Sequence, residues 1–444
     1  MQQTSPAELG VVEAAGALAR RELSSRELTE ACLARIRERD GTHSFDGDLA
    51  SINAWVRVYE EDALAAADAA DARERRGPLD GVPIGLKDIY AVAGKPLTAS
   101  SRLLDEVPDE DCDVWAALKA EGMVLLGHLH THEFAAGGTT DQVGNPWALD
   151  RSAGGSSGGS AAALAARMTP AATGTDTAGS LRIPSAFCGT STIKPTRGRL
   201  SIRGIVPLAA TLDHAGPMAR TLEDCALLLA GMDGGGPVAA APLGGVRLGL
   251  LPADDLDPDV AGGFDAVRDL CRRLGADLVQ APPVRDTLDD WGEVFDVDMN
   301  SFHRRFDDRR HLYRPSTREL VERGAGADAG RYAELQARRE QDAAEWEDWL
   351  AAERVAALLQ PTVPDVAWPR GPGYDRAGSD VRLIELTHHW DWTGQPVVAL
   401  PAGLGARSGL PVSVSLIGPR GSDRELLALG ISLQAELGVP EPSS

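Results

Sequence analysis

Lysine is what this 444-residue chain has least of among its charged residues: of 44 basic residues only Lys87, Lys95, Lys119 and Lys194 are lysines. Basic charge as a whole is outweighed, 44 Lys and Arg against 66 Asp and Glu, for a formal net charge of −22. An acidic field of that size repels phosphate backbones and anionic headgroups, so neither a nucleic-acid partner nor a membrane-surface partner is expected. Cysteine is sparse too. Cys32, Cys112, Cys188, Cys225 and Cys271 form an odd, scattered set without a C-x-x-C pair, which excludes a disulfide framework and a zinc knuckle and points to a reducing cytoplasm. No stretch approaches the ~20 apolar residues of a membrane span, and the opening MQQTSPAELG lacks the basic and apolar segments of an export signal.

The remaining composition, 43% hydrophobic and 25% charged with 48 Gly and 28 Pro, is that of a globular protein able to bury a substantial core. Ser24 and Glu27 can form a capping box ahead of Leu28, Cys32, Leu33 and Ile36, which repeat at helical spacing. Residues 60–76 read as a second helix, ended by Gly77-Pro78. From Gly81 to about Pro217 the texture changes to Gly, Ser and Thr with short apolar runs such as Met123–Leu126, the pattern of buried strands meeting functional loops. Further on, 246–251 reads as a strand, 262–274 as a helix, 329–359 as one or two charged helices, 396–401 and 412–417 as strands, and 423–437 as a last helix. Strands and helices alternate throughout, with no internal repeat and no dividing linker, which predicts a single α/β unit over 1–444.

Chemistry concentrates in two segments, Gly154-Gly155-Ser156-Ser157-Gly158-Gly159-Ser160 and Gly174-Thr175-Asp176-Thr177-Ala178-Gly179-Ser180-Leu181-Arg182-Ile183-Pro184. Serine hydroxyls among small residues, with backbone N–H groups free to face a developing oxyanion, are what acyl transfer requires. A pair of flexible Gly/Ser loops would carry the same composition. No lysine follows the glycines of the first segment, so a phosphate-binding loop is not supported. Gly154–Gly158 does satisfy G-x-S-x-G, but residues 148–153 do not read as the apolar strand that a nucleophile elbow needs.

With these motifs the chain resembles the amidase signature family. The resemblance runs from Gly81-Val82-Pro83-Ile84-Gly85-Leu86-Lys87-Asp88 through both serine segments to Lys194-Pro195-Thr196-Arg197-Gly198, with weaker echoes at Leu359–Thr362 and Gly409–Pro411. It implies an α/β/α sandwich with a large mixed central sheet, divided into N-terminal helices (1–76), a signature core (77–225) and a variable substrate-pocket region (about 280–395). It also implies Ser180 as nucleophile, Ser156, after a cis peptide, as bridging serine and Lys87 as base. For lysine to act as a base its pKa must fall from about 10.4 to about 7 through burial. The same resemblance implies an oxyanion hole of the N–H groups of Thr177, Ala178, Gly179 and Ser180, with alanine at 178 where the commoner pattern has glycine. Ser157, Asp176 and Arg182 are expected to organise these loops, Gly137 and Thr139 to wall the pocket, and Trp390 and Trp392 to line it. The asparagine expected near Trp392 is absent.

The expected activity is hydrolysis of a carboxamide or related acyl–nitrogen bond of a small molecule, with no cofactor and with homodimerisation. Within the same fold the alternative is the glutaminase component of a tRNA-dependent amidotransferase, which works with partner subunits. Outside it, His128, His130 and His132 alternate as strand residues do and could together hold zinc in a metal-dependent hydrolase; a catalytically dead binding protein is the third possibility.

Overall fold

The five consecutive residues Pro83–Lys87 are buried without polar alternation, and they form a strand with neighbours on both sides. In the computed structural model, which describes residues 5–371 and 381–442, it is one of eleven strands that share one sheet. In chain order the strands are β1 (Trp55–Val58), β2 (Pro83–Lys87), β3 (Val124–Leu129), β4 (Gly144–Asn145), β5 (Ala148–Ser152), β6 (Ala171–Asp176), β7 (Ser191–Lys194), β8 (His214–Ala219), β9 (Arg247–Leu250), β10 (Asp277–Gln280), β11 (Ala357–Pro361), β12 (Val397–Leu404) and β13 (Pro411–Ile417). The order across the sheet is β1-β3-β2-β6-β8-β7-β12-β13-β11-β9-β10, while β4 and β5 pair separately. β2 runs parallel to β3 and β6, and β9 parallel to β10 and β11; the other pairs are antiparallel. With helices flanking it, this is the α/β fold with a mixed central sheet that the sequence led us to expect.

Local rules explain several boundaries. Ser24 Oγ accepts from Glu27 N (3.1 Å) and Ser24 N donates to the Glu27 carboxylate (2.9 Å), the reciprocal bonds of a capping box at the start of the Ser25–Arg39 helix. The next helix is Glu60–Asp71, shorter than the 60–76 expected. Asp80 captures the rest: Arg76 N donates to its carboxylate (2.8 Å) and Arg75 to its carbonyl (2.8 Å), drawing the chain into the turn before β2. The helical reading of 329–359 is corrected in the same way. The helix spans Tyr332–Glu353, Arg354 turns left-handed (φ 55), and the apolar Ala357–Pro361 enters the sheet between β13 and β9. Residues 148–152 do form a strand, but a half-exposed one outside the central sheet, so Ser156 does not crown an elbow. Residues 372–380 of the expected pocket region lie outside the described residues.

Two registers place the site. β2 and β6 pair in parallel at Ile84↔Ala171 and Gly85↔Ala172, so Lys87 and Asp176 end their strands at the same edge. β6 and β8 pair at Asp176↔His214, which sets His214 beside the same carboxylate. Loops leaving the carboxyl ends of neighbouring parallel strands are where open α/β sheets form binding crevices.

Candidate active site

Lys87 is wholly buried at the end of β2, with Nζ 2.7 Å from Ser156 Oγ and 2.8 Å from Thr175 Oγ1. Burial pushes its ammonium down to about 7, against the opposing pull of Asp213 and Asp176. Ser156 follows a cis Gly155–Ser156 peptide. A Cβ on Gly155 would lie 2.3 Å from the Thr139 carbonyl oxygen, so only glycine lets these two loops touch. Ser157 ties the segments together: its N–H donates to the Ser180 carbonyl (3.3 Å) and its Oγ accepts from Thr175 N (3.3 Å). Ser180 itself sits in the loop between β6 and the Arg182–Cys188 helix, in the wall of a cavity of about 510 Å³.

The loop from Thr177 to Leu181 is held by a buried ion cluster. Arg182 donates two hydrogen bonds of 2.9 Å to the Asp176 carboxylate, one of 2.6 Å to Asp391 and one of 3.0 Å to the Thr387 carbonyl. Burial alone would raise the Asp176 carboxyl, but Arg182 holds it well below the usual carboxylate range. Burial together with the neighbouring Asp176 pushes Asp391 well above that range. Asp176 also accepts from the N–H of Gly179 and of Leu181 (3.2 Å for the latter). Of the four N–H groups expected to face an oxyanion, that of Gly179 is therefore already engaged, which corrects its assignment as a donor. Gly179 is required for another reason: its φ is +135°, and a Cβ there would lie 2.5 Å from Thr387 Oγ1. Alanine at 178 brings no strain, since it is not among the described residues with positive φ; its carbonyl accepts from the Thr387 hydroxyl.

Thr387, Asp391 and His214, whose Nδ1 lies 3.3 Å from Asp391 Oδ1, are missing from the sequence-based site. So is Lys194, fully buried and pushed down to about 8 by burial. Lysine's rarity drew notice to Lys194, and Asp391 stands inside the tryptophan segment singled out for another purpose.

The cavity is lined by Thr177, Ala178, Ser180 and Ile183 on the loop side, by Ala135–Gly138 and Leu208, and by one face of the Leu288–His303 helix with Ser316, Leu320 and Arg323 of the helix packed beside it. Gly137 is among these lining residues. Thr139 is not: it is buried behind this wall, its carbonyl accepting from His132 Nδ1 (2.8 Å). Trp390 and Trp392 are also corrected. Their short helix, His388–Thr393, turns them away from the cavity, so that Trp392 Nε1 donates to Asp342 (2.8 Å) and Trp390 packs on Trp346 with ring centroids 5.4 Å apart. The aromatic lining is Trp291 and Phe295, stacked at 4.9 Å, and Trp291 Nε1 donates to the Thr177 carbonyl (3.2 Å).

The three alternating histidines do not converge. His128 lies between the Tyr59 hydroxyl (2.8 Å) and the Tyr90 carbonyl (3.0 Å), His130 Nδ1 lies 3.1 Å from Ser100 Oγ, and His132 binds Thr139. Burial pushes His130 and His132 down to about 3. Among the described residues no three His, Cys, Asp or Glu side chains are grouped to hold a metal ion, and no helix is long and apolar enough to cross a membrane.

A buried lysine against one serine, with a second serine in the wall of a cavity, is equipment suited to acyl transfer. Residues 27–427 match the Amidase family model, and the chain belongs to that family and is an amidohydrolase. It is similar to a glutamyl-tRNA(Gln) amidotransferase subunit from Anaeromyxobacter sp. strain K, 35% identical over 98% of this chain and 97% of that protein. The corresponding protein of Methylococcus capsulatus is 37% identical over 94% of each. Among solved structures, a 6-aminohexanoate cyclic dimer hydrolase superposes with TM-score 0.86 at 27% identity, covering 98% of this chain and 99% of that one. The native peptide amidase of Stenotrophomonas maltophilia gives 0.82 at 26% identity, covering 98% of each chain.

Proposed function

We propose that the chain hydrolyses a carboxamide or related acyl–nitrogen bond of a small molecule through an acyl-Ser180 intermediate. The observation that carries this reading is Lys87: fully buried, 2.7 Å from Ser156 Oγ, and brought to about 7, where a base works best at neutral pH. Ser180 Oγ attacks the carbonyl carbon while its proton passes to Ser156 and that of Ser156 to Lys87 Nζ. The N–H groups of Thr177, Ala178 and Ser180 receive the oxyanion, in a loop stiffened by Asp176 and Arg182. Collapse returns the proton through Ser156 to the leaving nitrogen and releases ammonia or amine. Water then attacks the ester by the same relay and releases the carboxylate. These groups suffice without a metal or organic cofactor.

Intact-mass measurement after exposure to a fluorophosphonate, followed by peptide mapping, tests the assignment. One adduct on Ser180, absent from Lys87→Ala, is expected; an adduct on Ser156 or Ser157 would overturn it.

The full-length similarity to these amidotransferase components favours a second reading, a glutaminase that passes ammonia to partner subunits. Turnover of simple amides by the purified chain supports the first; turnover only with added partner subunits supports the second. Five cysteines, all free and buried, suit a reducing compartment, and we read the chain as a cytoplasmic homodimer, which light scattering tests.

A further inference from the structure

The Leu288–His303 helix turns Asp289, Gly292, Glu293 and Asp296, spaced three and four residues apart, toward the cavity that holds Ser180. Two of the three carboxylates are engaged within the chain. Glu293 pairs with Arg331 at 2.5 Å, and Asp296 takes three hydrogen bonds of 2.7 to 2.9 Å from Arg323. Arg323, the one cation among the described lining residues, is thereby occupied. Asp289 has no hydrogen bond or ion pair among the described residues and is exposed at the cavity.

Gly292 stands in the same wall. Glycine inside a helix is destabilising relative to alanine. Here a Cβ would meet nothing within 4 Å. Gly292 lines the cavity beside the stacked rings of Trp291 and Phe295, so the wall carries no side chain at that position between Asp289 and Asp296.

We propose that this wall selects the substrate: amides whose acyl body is apolar or aromatic, lies along Gly292 against Trp291, and ends in a cation that Asp289 holds. Amides that also carry a carboxylate are disfavoured, because Arg323 would have to leave Asp296 to receive it. The proposal rests on the reading of Ser180 as nucleophile and narrows the substrate class within it.

The test compares 4-(aminomethyl)benzamide, 4-ethylbenzamide and 4-(carboxymethyl)benzamide, which share a body and differ in terminal charge. The expected kcat/KM order is cation, neutral, anion, with a ratio of about tenfold between the first two that falls as salt is added. In Asp289→Asn the cation-to-neutral ratio should drop toward one. Calorimetric binding of the same compounds to Ser180→Ala gives the ranking without turnover. Wild-type ratios within twofold of one, or ratios unmoved in Asp289→Asn, would overturn the proposal. Binding in the expected order with no turnover of any compound would instead overturn the amidase reading and leave the subsite standing, while turnover without the order sinks the subsite alone.

Discussion

The edge of β2 and β6 and the helical wall facing it across the cavity are built on different terms. At the sheet edge Lys87, Asp176 and Arg182 are wholly buried, and each is fixed by two or more partners. On the wall Asp289 is exposed, Glu293 and Asp296 are half-buried, and Gly292 borders open space. Bond cleavage depends on atoms held to a few tenths of an ångström, which demands dense packing and satisfied hydrogen bonds. Selection among substrates needs only shape and charge, and a wall that packs loosely can vary without disturbing the chemistry.

The contrast breaks first at the serine. Ser180→Ala should lower kcat/KM by roughly 10⁴ or more, and Lys87→Ala by roughly 10³ to 10⁴, with the thermal transition of Ser180→Ala unchanged. A Lys87→Ala enzyme with near wild-type kcat/KM would show that the sheet edge is scaffold rather than machinery.

Next in size is the ion cluster behind the loop. Arg182→Leu leaves Asp176 and Asp391 buried without their shared cation, and removing one partner of such a cluster costs about 3–5 kcal/mol. Chemical denaturation should show that loss, whereas Arg323→Leu on the wall, where the pair is half-exposed, should cost about 1 kcal/mol or less. Equal losses would mean that the two regions do not differ in the way described.

Titration sharpens the comparison. In the proposed mechanism the neutral lysine is the base, so kcat/KM should rise with pH through about 7. The folded value of about 7 lies below the free value of 10.5, so between them the unfolded chain binds the extra proton and stability grows as pH rises. Relative to Lys87→Met, the wild type should gain roughly 2 kcal/mol between pH 7 and pH 9. A parallel pH dependence in the two proteins would place the titration elsewhere.

The same division decided what the sequence disclosed. Capping at Ser24, the helix at 423–437 and the strands beginning at 397 and 411 depend on neighbours in the chain, and each starts within a residue of where the pattern put it, though the first strand runs three residues further, to Leu404. The proposed triad of Lys87, Ser156 and Ser180 was picked out because each sits in a long local motif. Arg182 meets Asp391 across 209 residues and Trp291 meets Thr177 across 114, and no window of sequence contains either pair. Trp390 and Trp392 were misjudged for that reason: their own segment gives no sign that the Tyr332–Glu353 helix, bearing Asp342 and Trp346, will claim them.

The smallest effect separates the two regions most cleanly, because one substitution carries opposite signs in them. Gly155→Ala drives a methyl into the Thr139 backbone at 2.3 Å and should destabilise the protein and abolish turnover. Gly292→Ala meets no atom within 4 Å and removes a glycine from a helix interior, so stability should rise by about 0.5–1 kcal/mol. Under the proposed substrate placement the added methyl enters the space of the acyl body, so KM should rise for bulky amides and stay level for acetamide, with kcat little changed. A stabilised Gly292→Ala protein with unaltered KM across that series would show that Gly292 faces solvent rather than substrate.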